Sequence, residues 1–174
     1  MKLIVRFVLV VLFAQVLVAQ EIIHQHNEHA KFWENKGQWH KDVLFRSQFS
    51  GGNLWIQQHK FIVHFQDFSQ VREVHEKPRK HQGEQLNVRQ SLVHVNFEGS
   101  NAVSQLEKLD PSKSYRNYFI GNDPSRWASN VKGYSEVILR DIYNKIDLKF
   151  IEQGEELKYE FHIAPHADPS QIKL

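Results

Sequence analysis

The chain has 174 residues, with 22 Lys and Arg against 20 Asp and Glu, 11 His and no Cys. The absence of cysteine excludes a disulfide-stapled scaffold, a thiol nucleophile and the lipid-attachment residue of a bacterial lipoprotein. Near-neutral charge gives no electrostatic reason to expect nucleic acid or an anionic membrane as partner.

Residues 1–19 carry Lys2 and Arg6 at the front, an apolar run from Phe7 to Phe13, and Ala19 at a position suited to cleavage. This reads as a secretory signal peptide, although Leu17 is larger than the residue preferred there. Gln15 interrupts a stretch already short for a membrane span, so a retained anchor is the weaker reading. Cleavage removes two positive charges and leaves 20 basic against 20 acidic residues. The expected address is therefore secreted or outer cell surface, without stable membrane insertion. The remaining chain is long enough for one domain with an ordinary core.

Residues 20–30 are polar and read as a mobile N-terminal segment. His24, His26 and His29 lie there with Glu28, and imidazole and carboxylate are zinc-ligand types. Their spacing does not match the helical His-Glu-x-x-His arrangement, so the three histidines are candidate ligands only and no cofactor is expected.

Residues 31–174 are predicted to form a single mostly-β domain, an antiparallel β-sandwich-like fold with short helical turns. The basis is period-two alternation. Phe61, Val63 and Phe65 share one side of "KFIVHF", and Val93, Val95 and Phe97 one side of "LVHVNF". Ile146, Leu148 and Phe150 alternate with Asp147 and Lys149, and Leu157, Tyr159, Phe161 and Ile163 with Lys158, Glu160 and His162. The last two segments are predicted to form a hairpin with Phe150 opposite Tyr159, Lys149 opposite Glu160 and Asp147 opposite His162. Sliding by two residues would oppose Lys149 to Lys158 and Asp147 to Glu160, which is unfavourable. The preferred register leaves Gln153 to Glu156 as the loop.

Two tryptophans flank a turn in "FWENKGQW", where Asn35 to Gln38 supply turn chemistry and Gly37 takes positive φ at little cost. Trp33 and Trp39 read as core anchors, and Trp55, Tyr115, Tyr118, Phe119 and Trp127 as a second buried aromatic set. The rival is a sugar-binding platform of Trp33, Trp39, Trp55 and Trp127. Residues 70–90 form a polar excursion in which Glu73, Glu76 and Glu84 interleave with Lys77, Arg79 and Lys80. That mixture points to a solvated segment rather than a nucleic-acid footprint. "DPS" recurs at 110–112, 123–125 and 168–170, where Asp caps free amides and Pro fits a first turn position. In "DPSRWASN", Asp123 is expected to cap a short turn that presents Trp127 to the core.

No Gly-x-Ser-x-Gly is present. A carboxylate pair for glycoside hydrolysis would have to come from Glu98, Asp110, Asp123, Asp141 or Asp147, each of which has a local reading as turn, cap or strand face.

Taken together, "FWENKGQW", "VLFRSQFSGGNLWI", "YRNYFIGNDPSRWASNV", "IDLKF" and "LKYEFHIAPHADPSQIKL" resemble the N-terminal domain of unknown function of large secreted proteins of Bacteroidetes-type bacteria. The resemblance covers about residues 30 to 174. It implies β-propeller-type repeats or immunoglobulin-like and PKD-like modules downstream, with gliding-motility-associated or type IX secretion sorting at the C-terminus. It implies no active site. Ile172 and Leu174 alternate around Lys173, so the chain is expected to end inside a strand, as a domain truncated at its C-terminus. The expected function is a non-catalytic structural or adhesive module packed against downstream domains of its own polypeptide. A carbohydrate-binding module recognising surface polysaccharide is the first alternative, and a carboxylate-dependent hydrolase the second.

Overall fold

The computed structural model describes residues 31–69, 87–103, 105–154 and 156–174. Among the described residues nine antiparallel strands form one curled sheet in the order β5-β4-β3-β2-β1-β7-β8-β9, with β6 paired to β7 off this path. They are β1 Phe32–Glu34, β2 Val43–Phe49, β3 Gly52–Gln57, β4 Lys60–Asp67, β5 Arg89–Asn96, β6 Leu106–Tyr118, β7 Ala128–Tyr143, β8 Ile146–Gln153 and β9 Glu156–Ile163. Among the described residues no helix is long and apolar enough to cross a membrane.

The curl is made by β7. Its Gly133 and Tyr134 pair with β1, while Glu136 to Leu139 and Tyr143 pair with β8. One long strand therefore carries the chain from the β1–β5 half to the β8–β9 half. The two halves close face to face over their apolar sides. Phe61 of β4 meets Phe150 of β8 at 5.8 Å and Tyr159 of β9 at 5.2 Å between ring centroids, and Phe97 meets Phe161 at 6.3 Å. Phe32, Phe45, Ile56, Leu139, Ile146 and Leu148 fill the space between. Each such side chain contributes about 1.5–3 kcal/mol on burial. The sandwich-like β class read from alternation is the class observed.

The predicted β8–β9 register is the observed one: Phe150↔Tyr159, Lys149↔Glu160 and Asp147↔His162. Pairing continues to Gln153↔Glu156, so the connection is shorter than the four-residue loop expected. The ion pairs also differ from the register partners. Lys149 Nζ reaches Glu136 on β7 at 2.7 Å, and Glu160 takes Lys158 and His162 of its own strand. Long side chains lean along or across strands, so Cα opposition does not decide which charges touch.

Asp123 and Asp168 cap 3-10 turns at Pro124–Arg126 and Pro169–Gln171, each carboxylate accepting from the Ser amide two residues on. The third "DPS" behaves differently: Asp110 lies inside β6 at φ 49°, where pairing with β7 shifts register between Pro111 and Tyr115. Residues 172–174 lie outside the strands, following the 3-10 turn, so the chain does not end inside a strand as expected. Residues 1–30 and 70–86, which hold the leader-like segment, the histidine-rich segment and most of the polar excursion, lie outside the described residues. The excursion's assigned end overlaps β5, which begins at Arg89.

Candidate interaction surfaces

The aromatic residues singled out in the sequence divide between two places. Successive registers place Gly133, Trp33, Arg46, Trp55, Ile62 and His94 side by side across β7, β1, β2, β3, β4 and β5. This row lies on the outer face, because Leu54 and Ile56 on either side of Trp55 face the core. The Arg46 guanidinium sits 5.0 Å from the Trp55 ring and 5.8 Å from Trp39. The Arg116 guanidinium from β6 lies 4.1 Å from the Trp33 ring. Trp39 packs edge-on against Trp55 at 5.7 Å and against Tyr118 at 5.3 Å. Trp33, Ala128 and Val131 form a small second core beneath Trp39 and Tyr118.

Three local features hold this cluster. A Cβ at Gly133 would stand 3.2 Å from two Trp33 ring atoms, so the absent side chain makes room for the indole. Gly37 adopts φ 108° in the turn between Trp33 and Trp39, while Asn35 Oδ1 accepts from the amides of Gly37 at 3.0 Å and Trp39 at 3.2 Å. Asn53, buried on β3, accepts from Arg46 Nε at 3.1 Å and Nη2 at 2.7 Å, and donates to Gln66 at 3.0 Å. Burial pulls the Arg46 pKa down; Tyr118 nearby raises it and Arg116 lowers it. Cation–π contact and the Asn53 carbonyl replace the water that a half-buried guanidinium loses.

Trp33 is 3% exposed, and Trp39 and Trp55 are half-buried. Trp127 is 44% exposed and Phe119 60%, with Tyr115 exposed as well, so the expectation that this set lies in the core is corrected for these three residues. Trp127 packs on Phe119 at 5.7 Å, and its Nε1–H donates to the Gly121 carbonyl at 3.2 Å. The Asp123 cap forms as expected, yet the turn it makes presents Trp127 at the surface. The reason is topological. The β6–β7 ribbon runs on to Tyr118↔Ala128, while β1 pairs with β7 only at Gly133 and Tyr134.

A second apolar surface is a cleft of about 610 Å³ at the open end of the sandwich, lined by Phe49, Leu54, Phe61, Val63, Phe65 and Tyr159 with Glu156 and Lys158 at its side. Among the described residues it offers apolar contact and no converging acid–base set.

The titratable groups are engaged locally. Arg140 on β7 bridges Glu107 of β6 (2.8 and 2.7 Å) and Asp147 of β8. The hydrogen bonds from Arg140 hold the Glu107 carboxyl below its usual range, against its desolvation and the nearby Asp147. Lys158 and His162 bring Glu160 down to about 2. Ser125 and Ser170 lower Asp123 and Asp168 by donating to them. Of the other acidic candidates, Glu98 follows β5 in a turn, and Asp110 and Asp141 occupy positive-φ kinks. Among the described residues no group of three or more His, Asp or Glu is placed to hold a metal; His24, His26 and His29 lie outside them.

Arg46, Arg116 and Asn53 are the residues that sequence reading missed. A signal existed for Arg46: a tight connection between Phe49 and Gly52 in "FSGG" fixes the Arg46↔Trp55 register. Nothing local marks Arg116, which reaches Trp33 only through the β6–β7 ribbon.

No curated protein and no solved structure matches the chain. The pattern of one family, described as a domain of unknown function, matches residues 32–174, which take in every strand and both aromatic regions. The chain belongs to that family, DUF7948.

Proposed function

We propose that this domain is a non-catalytic structural or adhesive module of a larger secreted or surface polypeptide, and that it packs against downstream parts of its own chain. The observation that carries the reading is the kind of surface left open. Leu92, Val93, Phe65, Phe119, Ile120 and Trp127 are exposed, whereas the acidic groups with lowered pKa values are tied to Arg, Lys, His or Ser neighbours. Exposed apolar side chains suit polypeptide contact. Hydrolysis would need two carboxylates facing a shared substrate space. The leader-like residues 1–19 and the resemblance to N-terminal domains of Bacteroidetes-type secreted proteins support the extracellular address and export through type IX sorting.

Carbohydrate recruitment is the second reading, and exposed Trp127 is the observation in its favour. Against it stand the other three tryptophans, whose contacts include guanidinium groups and perpendicular rings of the same chain. The test compares the chain ending at Leu174 with a form extended into the parent polypeptide, measuring melting temperature and turnover of glycan, glycoside and peptide substrates. A higher melting temperature for the extended form and no turnover by either are expected. Equal melting temperatures would remove the packing role, and turnover would remove the non-catalytic one.

A further inference from the structure

We propose that the outer edge of β5 is the docking site for one added antiparallel strand, supplied in cis by the polypeptide that follows Leu174. The inference rests on the packing role proposed above and adds its place, direction and register.

β5 ends the sheet and, among the described residues, pairs with β4 alone. The Phe97 amide donates to the His59 carbonyl at 2.8 Å, one step past the Lys60↔Asn96 pair. Antiparallel pairing alternates along a strand. Val95, Val93 and Ser91 therefore turn their backbone groups to β4, while Asn96, His94, Leu92 and Gln90 turn theirs to the open edge. Glu98 is the next residue in that outward series. Its amide already donates to the Lys173 carbonyl at 3.0 Å. The Tyr143 hydroxyl donates to the same carbonyl at 3.0 Å and accepts from the Lys173 amide at 3.4 Å, holding Lys173 beside the β5 edge. A chain running on from Lys173 opposite to β5 stays on its edge, whereas one running parallel would leave it past Gly99. Two positions beyond Lys173 falls beside Asn96, and two more beside His94.

The side chains select β5 over the other end of the sheet. The β9 edge carries Glu156, Lys158 and Glu160, charges of the kind that discourage strand addition. From Gln90 to Asn96 β5 has no Lys, Arg, Asp, Glu or Pro, and its pairing with β4 has no bulge. Leu92 on one face and Val93 on the other are 60% and 47% exposed. An added strand covers both and satisfies the outward amides, as in other cases of strand addition.

Hydrogen exchange on the two forms, ending at Leu174 and extended beyond it, tests this. The amides of Asn96, His94 and Leu92 are expected to exchange more slowly in the extended form, on the order of 100-fold, while those of Val93 and Val95 change little. His94→Pro removes only an outward amide, a substitution edge strands tolerate. It should leave the melting temperature of the shorter form unchanged and lower that of the extended form. Equal exchange at the outward amides in both forms would overturn the proposal. If the extension still raised the melting temperature in that case, packing would stand and its site would lie elsewhere. If it did not, both readings would fall. Protection that grows with concentration of the shorter form would make a second copy the occupant and overturn supply in cis.

Discussion

Three tryptophans and one tryptophan, all read alike from sequence, meet opposite fates in the two aromatic regions. In the row across β1–β3, Trp33 and Trp55 are flanked by Arg46 in register, and Arg116 covers Trp33. At the end of the β6–β7 ribbon, Trp127 has Phe119 and the Gly121 carbonyl as partners and stays open to solvent. The difference teaches that a tryptophan's role is set by how many strands lie beside it. A row crossing six strands supplies partners from several sides. A two-stranded end supplies them from one.

Substitution should separate the regions most sharply. Trp33→Ala removes a buried indole from between Gly133, Arg116 and Val131, and is expected to cost about 3–5 kcal/mol by chemical denaturation. Trp127→Ala, at a largely exposed site, is expected to cost about 1 kcal/mol or less. Comparable losses at both positions would erase the distinction between them.

Arg46 sharpens the comparison within the row. Arg46→Lys keeps the charge and loses both the paired hydrogen bonds to Asn53 and the flat contact with Trp55 and Trp39. The expected loss is about 1–2 kcal/mol, because a lysine reproduces neither geometry. A variant as stable as the parent would mean that charge alone matters there.

Acid should act on the ribbon end before the row. Ser125 holds the Asp123 carboxyl below its ordinary value in the folded chain. Its stabilising effect is therefore present above the unfolded pKa and is lost as pH falls through the lower folded one. Below roughly pH 4, the ordinary carboxylate range, the cap weakens. Trp127 sits next to that capped turn, whereas the row around Trp33 is held by ring contacts, the Asn53 side-chain amide and the Arg46 and Arg116 guanidinium groups. Acid titration of single-tryptophan variants should change Trp127 emission at a higher pH than Trp33 emission; the reverse order would contradict the assignment.

The β8–β9 register was legible because it needs only neighbouring information: alternation, a short connection and like-charge avoidance between two adjacent segments. The register placed Lys149 opposite Glu160 as expected, but it carries no information about the ion pair Lys149 makes with Glu136 on a third strand. Trp127 failed for a related reason. "DPSRW" specifies a capped turn, and nothing in it says whether another strand will cover the turn's exposed side. The corner in β7 and the approach of Arg116 to Trp33 depend on contacts far apart in sequence. The kink at Asp110 shows the limit of motif reading, since three copies of "DPS" make two caps and one strand irregularity.

The central claim is that Trp33, Trp39 and Trp55 belong to the fold rather than to a ligand. Trp55→Ala tests it most directly, because Trp55 is half-exposed and belongs to both the row and the proposed sugar platform. Melting temperature and binding to a panel of polysaccharides should be measured on the same preparation. The account predicts a lower melting temperature and no binding that depends on Trp55. An unchanged melting temperature together with loss of polysaccharide binding would contradict it.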